Sequence, residues 1–214
     1  MKTVLILGAT GAVGRHLLAQ ALQHPDIARV IAPTRRALPA HAKLENPIVD
    51  FESLPLDAPW WHVDAALCAL GTTLKTAGSA AAFRRVDYDY ILNAAQRLRA
   101  AGTPCLVLNS TMGANASARG LYLKTKGETE RDVMALGFAS LTIVRPSLLN
   151  AGKRPEQRLA EDIGLCLDRY LGRWIPLKWR AIEVEKVAQN MLKAALAAKP
   201  GVSWLESAEL HSEK

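Results

Sequence analysis

The chain predicts a single domain of the α/β class: an open, doubly wound, mostly parallel sheet with helices on both faces. Strand-length apolar runs alternate with longer helix-like stretches. Most of the strand runs are continuously apolar, as parallel strands covered on both faces must be. The first strand and first helix are joined by a glycine-spaced turn, Gly8-Ala9-Thr10-Gly11-Ala12-Val13-Gly14. A chain of 214 residues, 50% apolar and 22% charged, can bury one sizeable core and is too apolar for disorder.

Strands are expected at 3–7, 29–33, 47–50, 63–70, 104–109 and 140–145, and helices at 12–23, 79–101, 121–136, 156–171 and 184–198. The first strand reads Thr3-Val4-Leu5-Ile6-Leu7, and the helix after it begins at the glycine turn. The helix at 79–101 carries Phe83, Val86, Tyr90, Leu92 and Leu98 on its apolar positions, with Arg and Gln between them. Gly102 and Gly137 follow helices, where a glycine stop is common. The alternation breaks after Arg145. The stretch 146–180, with Gly152, Pro155, Gly172 and Trp174, reads as a short insertion over the carboxyl ends of the strands, where such sheets bind ligands. Leu148, Leu149, Leu165, Trp174 and Trp179 suggest an apolar lining for it, but any one of them reads more simply as core. The tail 204–214 is uninformative.

The glycine turn has a specific use. Gly8 permits a tight turn off the strand, Gly11 lets the backbone approach phosphates, and Gly14 lets the helix pack closely on the sheet. The first N–H groups of that helix, at Ala12, Val13 and Gly14 beside Thr10, have no internal partner and sit at the positive end of its dipole. They suit the pyrophosphate of a dinucleotide. The tip of the second strand, Ala32-Pro33-Thr34-Arg35-Arg36, has one hydroxyl, two guanidiniums and no acid. A ribose 2′-OH favours an acidic partner there, whereas a 2′-phosphate needs cations. The expected cofactor is therefore NADP(H), with NAD(H) the alternative. Asp50 and Phe51 close the third strand and would receive the adenine. Leu70, Gly71, Thr72 and Thr73 close the fourth, where Gly71 lets backbone pass close to the cofactor.

A second pattern carries chemistry. Tyr122 and Lys126 are four apart on a predicted helix, so they share a face. An ammonium near a phenol stabilises the phenolate and lowers a pKa that is ordinarily about 10, which makes the tyrosine a usable proton donor and acceptor. Ser110 and Thr111 lie at the end of the fifth strand, on the ligand side of the sheet, and their hydroxyls can hydrogen-bond a carbonyl oxygen.

Other residues exclude classes of function. Cys68, Cys105 and Cys166 are odd in number and far apart, and the first two sit in apolar runs, so buried thiols in a reducing cytoplasm are expected. The five histidines lack metal-ligand spacing, so no metal is expected. No run approaches a membrane span, and the five apolar residues before Gly8 are too few for a signal peptide. The formal charge of +7 is scattered, without interleaved aromatics, so neither a nucleic acid nor a membrane is an expected partner.

The segments GATGAVG, ALGTT, NST and YLKTK together resemble the short-chain dehydrogenase/reductase superfamily. DFESLP, CALGTTLKTAGSAAAFRRVDYDY and GANASARGLYLKTKGETE resemble its atypical branch of Tat-interacting-protein-type NAD(P)-binding oxidoreductases. The likeness runs from residue 1 to about 150 and is weak beyond. It implies a Rossmann-like fold and an NADP(H)-dependent oxidoreductase acting on a small carbonyl or alcohol. Tyr122 would be the proton donor, Lys126 would hold the nicotinamide ribose and tune Tyr122, and Ser110, or Thr111 in its place, would orient the carbonyl. The backbone after Arg145-Pro146 would meet the nicotinamide amide. Many relatives carry a proton-relaying asparagine in the fourth helix, whereas this chain offers Asp87 or Asn93. Helices 79–101 and 121–136 could pair across a twofold axis as in relatives, giving a homodimer. Two other functions compete: a non-catalytic NADP(H)-sensing protein that regulates a partner, and a nucleotide-sugar epimerase or dehydratase. The latter normally needs a larger lobe than the 69 residues after Arg145.

Overall fold

The computed structural model of the chain describes residues 1–150, 176 and 179–211. The expected helix 156–171, Cys166, Leu165, Trp174 and most of the segment 146–180 lie outside these residues.

The domain is a seven-stranded, wholly parallel sheet flanked by helices. Its strands are β1 (Lys2–Leu7), β2 (Ile27–Ile31), β3 (Leu44–Glu45), β4 (Ala65–Cys68), β5 (Cys105–Asn109), β6 (Ser140–Arg145) and, after a separate pair, β9 (Gly201–Glu206). They lie in the order β3-β2-β1-β4-β5-β6-β9. The pair, β7 (Leu149–Asn150) and β8 (Ile182–Glu183), ties together the two ends of the stretch beyond β6. The helices are α1 (Ala12–Gln23), α2 (Leu74–Ala77), α3 (Ala80–Arg84), α4 (Tyr90–Ala100), α5 (Leu121–Ala135), α6 (Val184–Ala197) and α7 (Ser207–Leu210).

Both faces of the central strands are apolar because both are covered. Val4, Ile6, Leu67 and Val107 pack against Leu17 of α1 and Val187 and Met191 of α6. Their neighbours Leu5, Leu7, Cys68, Leu106 and Leu108 face the other way, against Ile91, Ala94 and Leu98 of α4 and Val133 of α5. At about 25 cal/mol per Å² of apolar surface removed from water, these two layers supply the dominant favourable term for the fold. Cys68 and Cys105 are buried free thiols.

Three expectations are corrected. The third strand is not 47–50 but Leu44–Glu45; Pro47 has no N–H, and its carbonyl instead accepts from Thr34 (3.0 Å) while Val49 donates to the Thr34 carbonyl (2.9 Å). The helix 79–101 is helical throughout but contains a π-turn at Arg85–Asp89 between α3 and α4. The tail supplies β9, paired with β6 from Ser140↔Gly201 to Arg145↔Glu206, and α7, which has a Glu206/Glu209 capping box. An edge strand that stays half exposed, with Val202 and Trp204 open to solvent, carries too weak a pattern to be seen beforehand.

The strand order reverses between β1 and β4. Outside the carboxyl ends of these two strands lies the crevice in which open α/β sheets hold ligands.

Candidate functional site

The glycine turn sits at this crevice. Gly8 has φ +81°, a left-handed conformation that favours glycine, and a side chain there would stand 2.7 Å from the Ala69 carbonyl oxygen. A Cβ on Gly14 would lie 1.9 Å from the Gly8 carbonyl oxygen, so α1 can approach the turn only without one. Gly11 donates its N–H to that same carbonyl at 2.9 Å and begins α1 with no side-chain cap. The first intrahelical bond is donated by Arg15 to Gly11, which leaves the N–H groups of Ala12, Val13 and Gly14 without helical partners. Thr10 and Gly11 are exposed at the tip. This is a cradle shaped for an anion, with the backbone where a Cβ would block it.

The second-strand tip is held by a residue the sequence reading passed over. Asn46 donates to the carbonyl of Ala32 (2.5 Å) and to Thr34 Oγ1 (2.8 Å), and it accepts from the Leu38 N–H (2.8 Å). Thr34 Oγ1 in turn donates to the Arg36 carbonyl (2.6 Å). Thr34 is therefore buried and occupied, while Arg35 and Arg36 project into solvent. Asp50 is exposed and caps its own turn by accepting from Glu52 N (3.0 Å). Phe51 is buried against Tyr90, with ring centroids 5.8 Å apart. Tyr90 donates to Glu52 Oε1 (2.6 Å), and burial together with that carboxylate pushes its phenol up to about 12.

The loop after β4 runs through Leu70 and Gly71 to Thr72 and Thr73. Thr73 caps α2 by accepting from Thr76 N (3.1 Å). Thr72 donates its N–H to Asp87 Oδ2 (2.7 Å), and Asp87 Oδ1 lies 2.8 Å from Lys126 Nζ. A Cβ on Gly71 would be 3.3 Å from Asp87 Oδ1 and 3.6 Å from Lys126 Nζ, so the loop backbone passes directly over this ion pair. Asp87 belongs to the π-turn, a distortion that recurs at functional sites because it re-aims side chains. Asn93 is exposed on α4, whereas Asp87 is wholly buried and bonded to Lys126 and Thr72.

Lys126 is 8% exposed at its side chain and Asp87 not at all. Burial disfavours the ammonium, but the charge of Asp87 and then Tyr122 more than offset it, and the Lys126 pKa is raised. The Cys68 thiol nearby is pushed up to about 11, chiefly by burial. Tyr122, one turn before Lys126 on α5, is 40% exposed, and its ring stands 5.8 Å from Phe83.

Ser110 follows β5 and is 6% exposed, and among the described residues its hydroxyl has no hydrogen-bond partner. A buried hydroxyl left unpaired costs roughly 1–3 kcal/mol, which a bound polar group would recover. The backbone after it is fixed by Ser110 N to Val144 O (2.8 Å) and Met112 N to Pro146 O (2.9 Å). The loop then folds back on α5, where Asn115 N donates to Leu123 O (3.1 Å). A Cβ on Gly127 would be 2.2 Å from Ala116 N, so this glycine lets the Ser110 loop cross the helix that bears Tyr122 and Lys126. Its role was not visible in the sequence, because only the crossing reveals it. Arg145 is engaged by Glu130 of α5 through two nitrogens and by Glu206 at 3.2 Å, leaving its backbone and Pro146 at the crevice rather than its guanidinium.

Among the described residues, no group of three or more His, Cys, Asp and Glu side chains could hold a metal, and no helix is long and apolar enough to cross a membrane.

The model of the family described as NAD(P)H-binding matches residues 8–198. The chain is 36% identical to HTATIP2 of Rattus norvegicus over 216 residues, covering 97% of this chain and 86% of that protein. It is 35% identical to a Candida albicans protein named FMP52, mitochondrial, over 185 residues, covering 83% of this chain and 78% of that one. Among solved structures, MoeE5 in complex with UDP-glucose and NAD superposes with a TM-score of 0.71 at 20% identity, covering 97% of this chain and 79% of that one. Several of the fungal relatives carry the word mitochondrial in their names, which overturns the expectation of a cytoplasmic location. That expectation rested on reduced, unpaired cysteines, and buried thiols do not distinguish one reducing compartment from another.

Proposed function

The chain belongs to the NAD(P)H-binding family, an atypical branch of the short-chain dehydrogenase/reductases, and from that membership we propose that it is an NADP(H)-dependent oxidoreductase acting on a small carbonyl or alcohol, with Tyr122 as its acid and base. The observation that carries the reading is the position of Lys126. Its buried ammonium lies under the Gly71 backbone, in the loop that also closes on the glycine cradle at Gly8. The cradle and the tyrosine–lysine pair thus form one continuous site.

Gly8, Gly11 and the free N–H groups of Ala12, Val13 and Gly14 would hold the pyrophosphate of the dinucleotide. Exposed Arg35 and Arg36 would meet a 2′-phosphate, and no acidic side chain in that tip repels it. The bound nicotinamide would supply or accept the hydride. Ser110 Oγ donates to the substrate oxygen and so recovers its missing hydrogen bond. Tyr122, accessible at the mouth, passes its phenolic proton to that oxygen during reduction and takes it back during oxidation. The Lys126 ammonium, one turn further along the same helix, would hold the nicotinamide ribose.

Melting with each nicotinamide nucleotide tests the cofactor. NADPH at about 100 times its Kd is expected to stabilise the fold by about 2.7 kcal/mol. The double variant Arg35→Ala/Arg36→Ala should lose the preference over NADH. A larger shift with NADH than with NADPH in the unaltered protein overturns the choice. Tyr122→Phe is expected to abolish turnover in a panel of carbonyls and alcohols while leaving NADPH binding nearly intact. Undiminished turnover removes Tyr122 from its role. Tight binding with no turnover by the unaltered protein, and a cofactor-dependent partner, would point to regulation instead of catalysis.

A further inference from the structure

We propose that Asp87 is a positioning residue that fastens the Lys126 ammonium and the cofactor-side loop into one unit, one carboxylate oxygen on each. The inference deepens the oxidoreductase reading and rests on it for its meaning in catalysis. Its geometry stands independently. Oδ1 lies 2.8 Å from Lys126 Nζ and Oδ2 accepts from Thr72 N at 2.7 Å, on a residue that is wholly buried. A surface lysine keeps its three donors in water, whereas this one exchanges water for a single anion.

The surroundings leave that task to Asp87. Lys126 is faced by Asp87 from the π-turn, by Cys68 from β4 and by Tyr122 from its own helix. The Cys68 thiol, at about 11, is uncharged at neutral pH. Asp87 is therefore the carboxylate that compensates the buried ammonium among the described residues. The π-turn explains how it arrives there. The wider turn at Arg85–Asp89 is locked to α5 by Thr129 Oγ1, which lies 2.8 Å from both the Asp87 carbonyl and the Thr125 carbonyl. Helix α5, the π-turn and the loop after β4 thus meet at one side chain. Lys126 is held as an ammonium facing the crevice, and a nucleotide that presses on Gly71 and Thr72 acts on the same carboxylate.

The proton on Lys126 can be followed by NMR of carbon-13-labelled lysine, with Lys126→Met identifying its signal. In the unaltered protein Lys126 should stay protonated to beyond the ordinary lysine range. In Asp87→Asn, which keeps an acceptor for Thr72 but loses the charge, the midpoint should fall by at least about one pH unit. In Asp87→Ala, which keeps neither, exchange of the Thr72 amide should quicken about tenfold or more, while Asp87→Asn should leave it close to the unaltered rate. An unchanged Lys126 midpoint in Asp87→Asn, or equal Thr72 exchange in all three proteins, overturns the proposal. So does an unaltered protein whose Lys126 loses its proton below about pH 9, a result that depends on neither Asp87 variant. If NADPH fails to raise the melting temperature of the unaltered protein, the oxidoreductase reading fails, yet both NMR measurements still decide the role of Asp87.

Discussion

Lys126→Met is expected to destabilise the fold by about 3–5 kcal/mol at neutral pH, as breaking one side of a buried ion pair does. Methionine fills much of the same volume, so the loss is electrostatic rather than a cavity. What remains is the Asp87 carboxylate, fully buried, with the Thr72 N–H but no cation. Chemical denaturation checks this. The double variant Asp87→Asn/Lys126→Met, which removes both charges, should recover part of the loss, and a double variant as unstable as Lys126→Met alone would rule the explanation out. The pH dependence has a definite sign. The folded-state pKa of Lys126 is raised above the ordinary 10.5, so its stabilising contribution is complete below that value and is lost as pH rises through the folded value. On the alkaline side, the gap between the unaltered protein and Lys126→Met should therefore hold from neutrality upwards and narrow only in strong alkali.

Gly14→Ala is the second large effect. The added methyl would sit 1.9 Å from the Gly8 carbonyl oxygen and 3.0 Å from Ala9 Cα, both backbone atoms that cannot rotate aside. Either α1 lifts from the sheet or the turn opens. The cost is expected to reach or exceed the ~3 kcal/mol at the upper end of overpacking. The functional loss should be sharper still, because lifting α1 withdraws the N–H groups of Ala12 and Val13 from the cradle. The NADPH-induced rise in melting temperature should vanish even in protein that remains folded by circular dichroism. A variant with unaltered NADPH stabilisation would mean that the nucleotide does not dock at this turn. Ala19→Gly makes a useful control, since it changes an exposed position of the same helix away from the turn and should cost only about 1 kcal/mol.

The parts of this protein that were legible beforehand are those that short-range chemistry enforces. Thr3-Val4-Leu5-Ile6-Leu7 had to be a buried strand, Gly8 had to turn, and Tyr122 and Lys126 had to share a helix face, because each follows from a few bonded neighbours. The parallel, doubly wound class followed from the apolar runs, since only strands covered on both sides can lack a polar face. The tertiary structure decided what depends on residues far apart in sequence. That Asp87 meets Lys126 goes with a π-turn that shifts the helix phase, and no spacing rule counts the extra residue. Asn46 became a clamp on the loop bearing Arg35 and Arg36 only once β3 lay beside β2. Gly127 mattered only where the Ser110 loop crossed α5, and the sequence around it reads as ordinary helix. By itself, then, the sequence determined the parallel class of the sheet, the glycine turn and the shared helix face of Tyr122 and Lys126, but not the edge strands β3 and β9. The fold alone determined that the lysine is clamped, because a buried charge acquires its partner by three-dimensional packing and not by proximity along the chain.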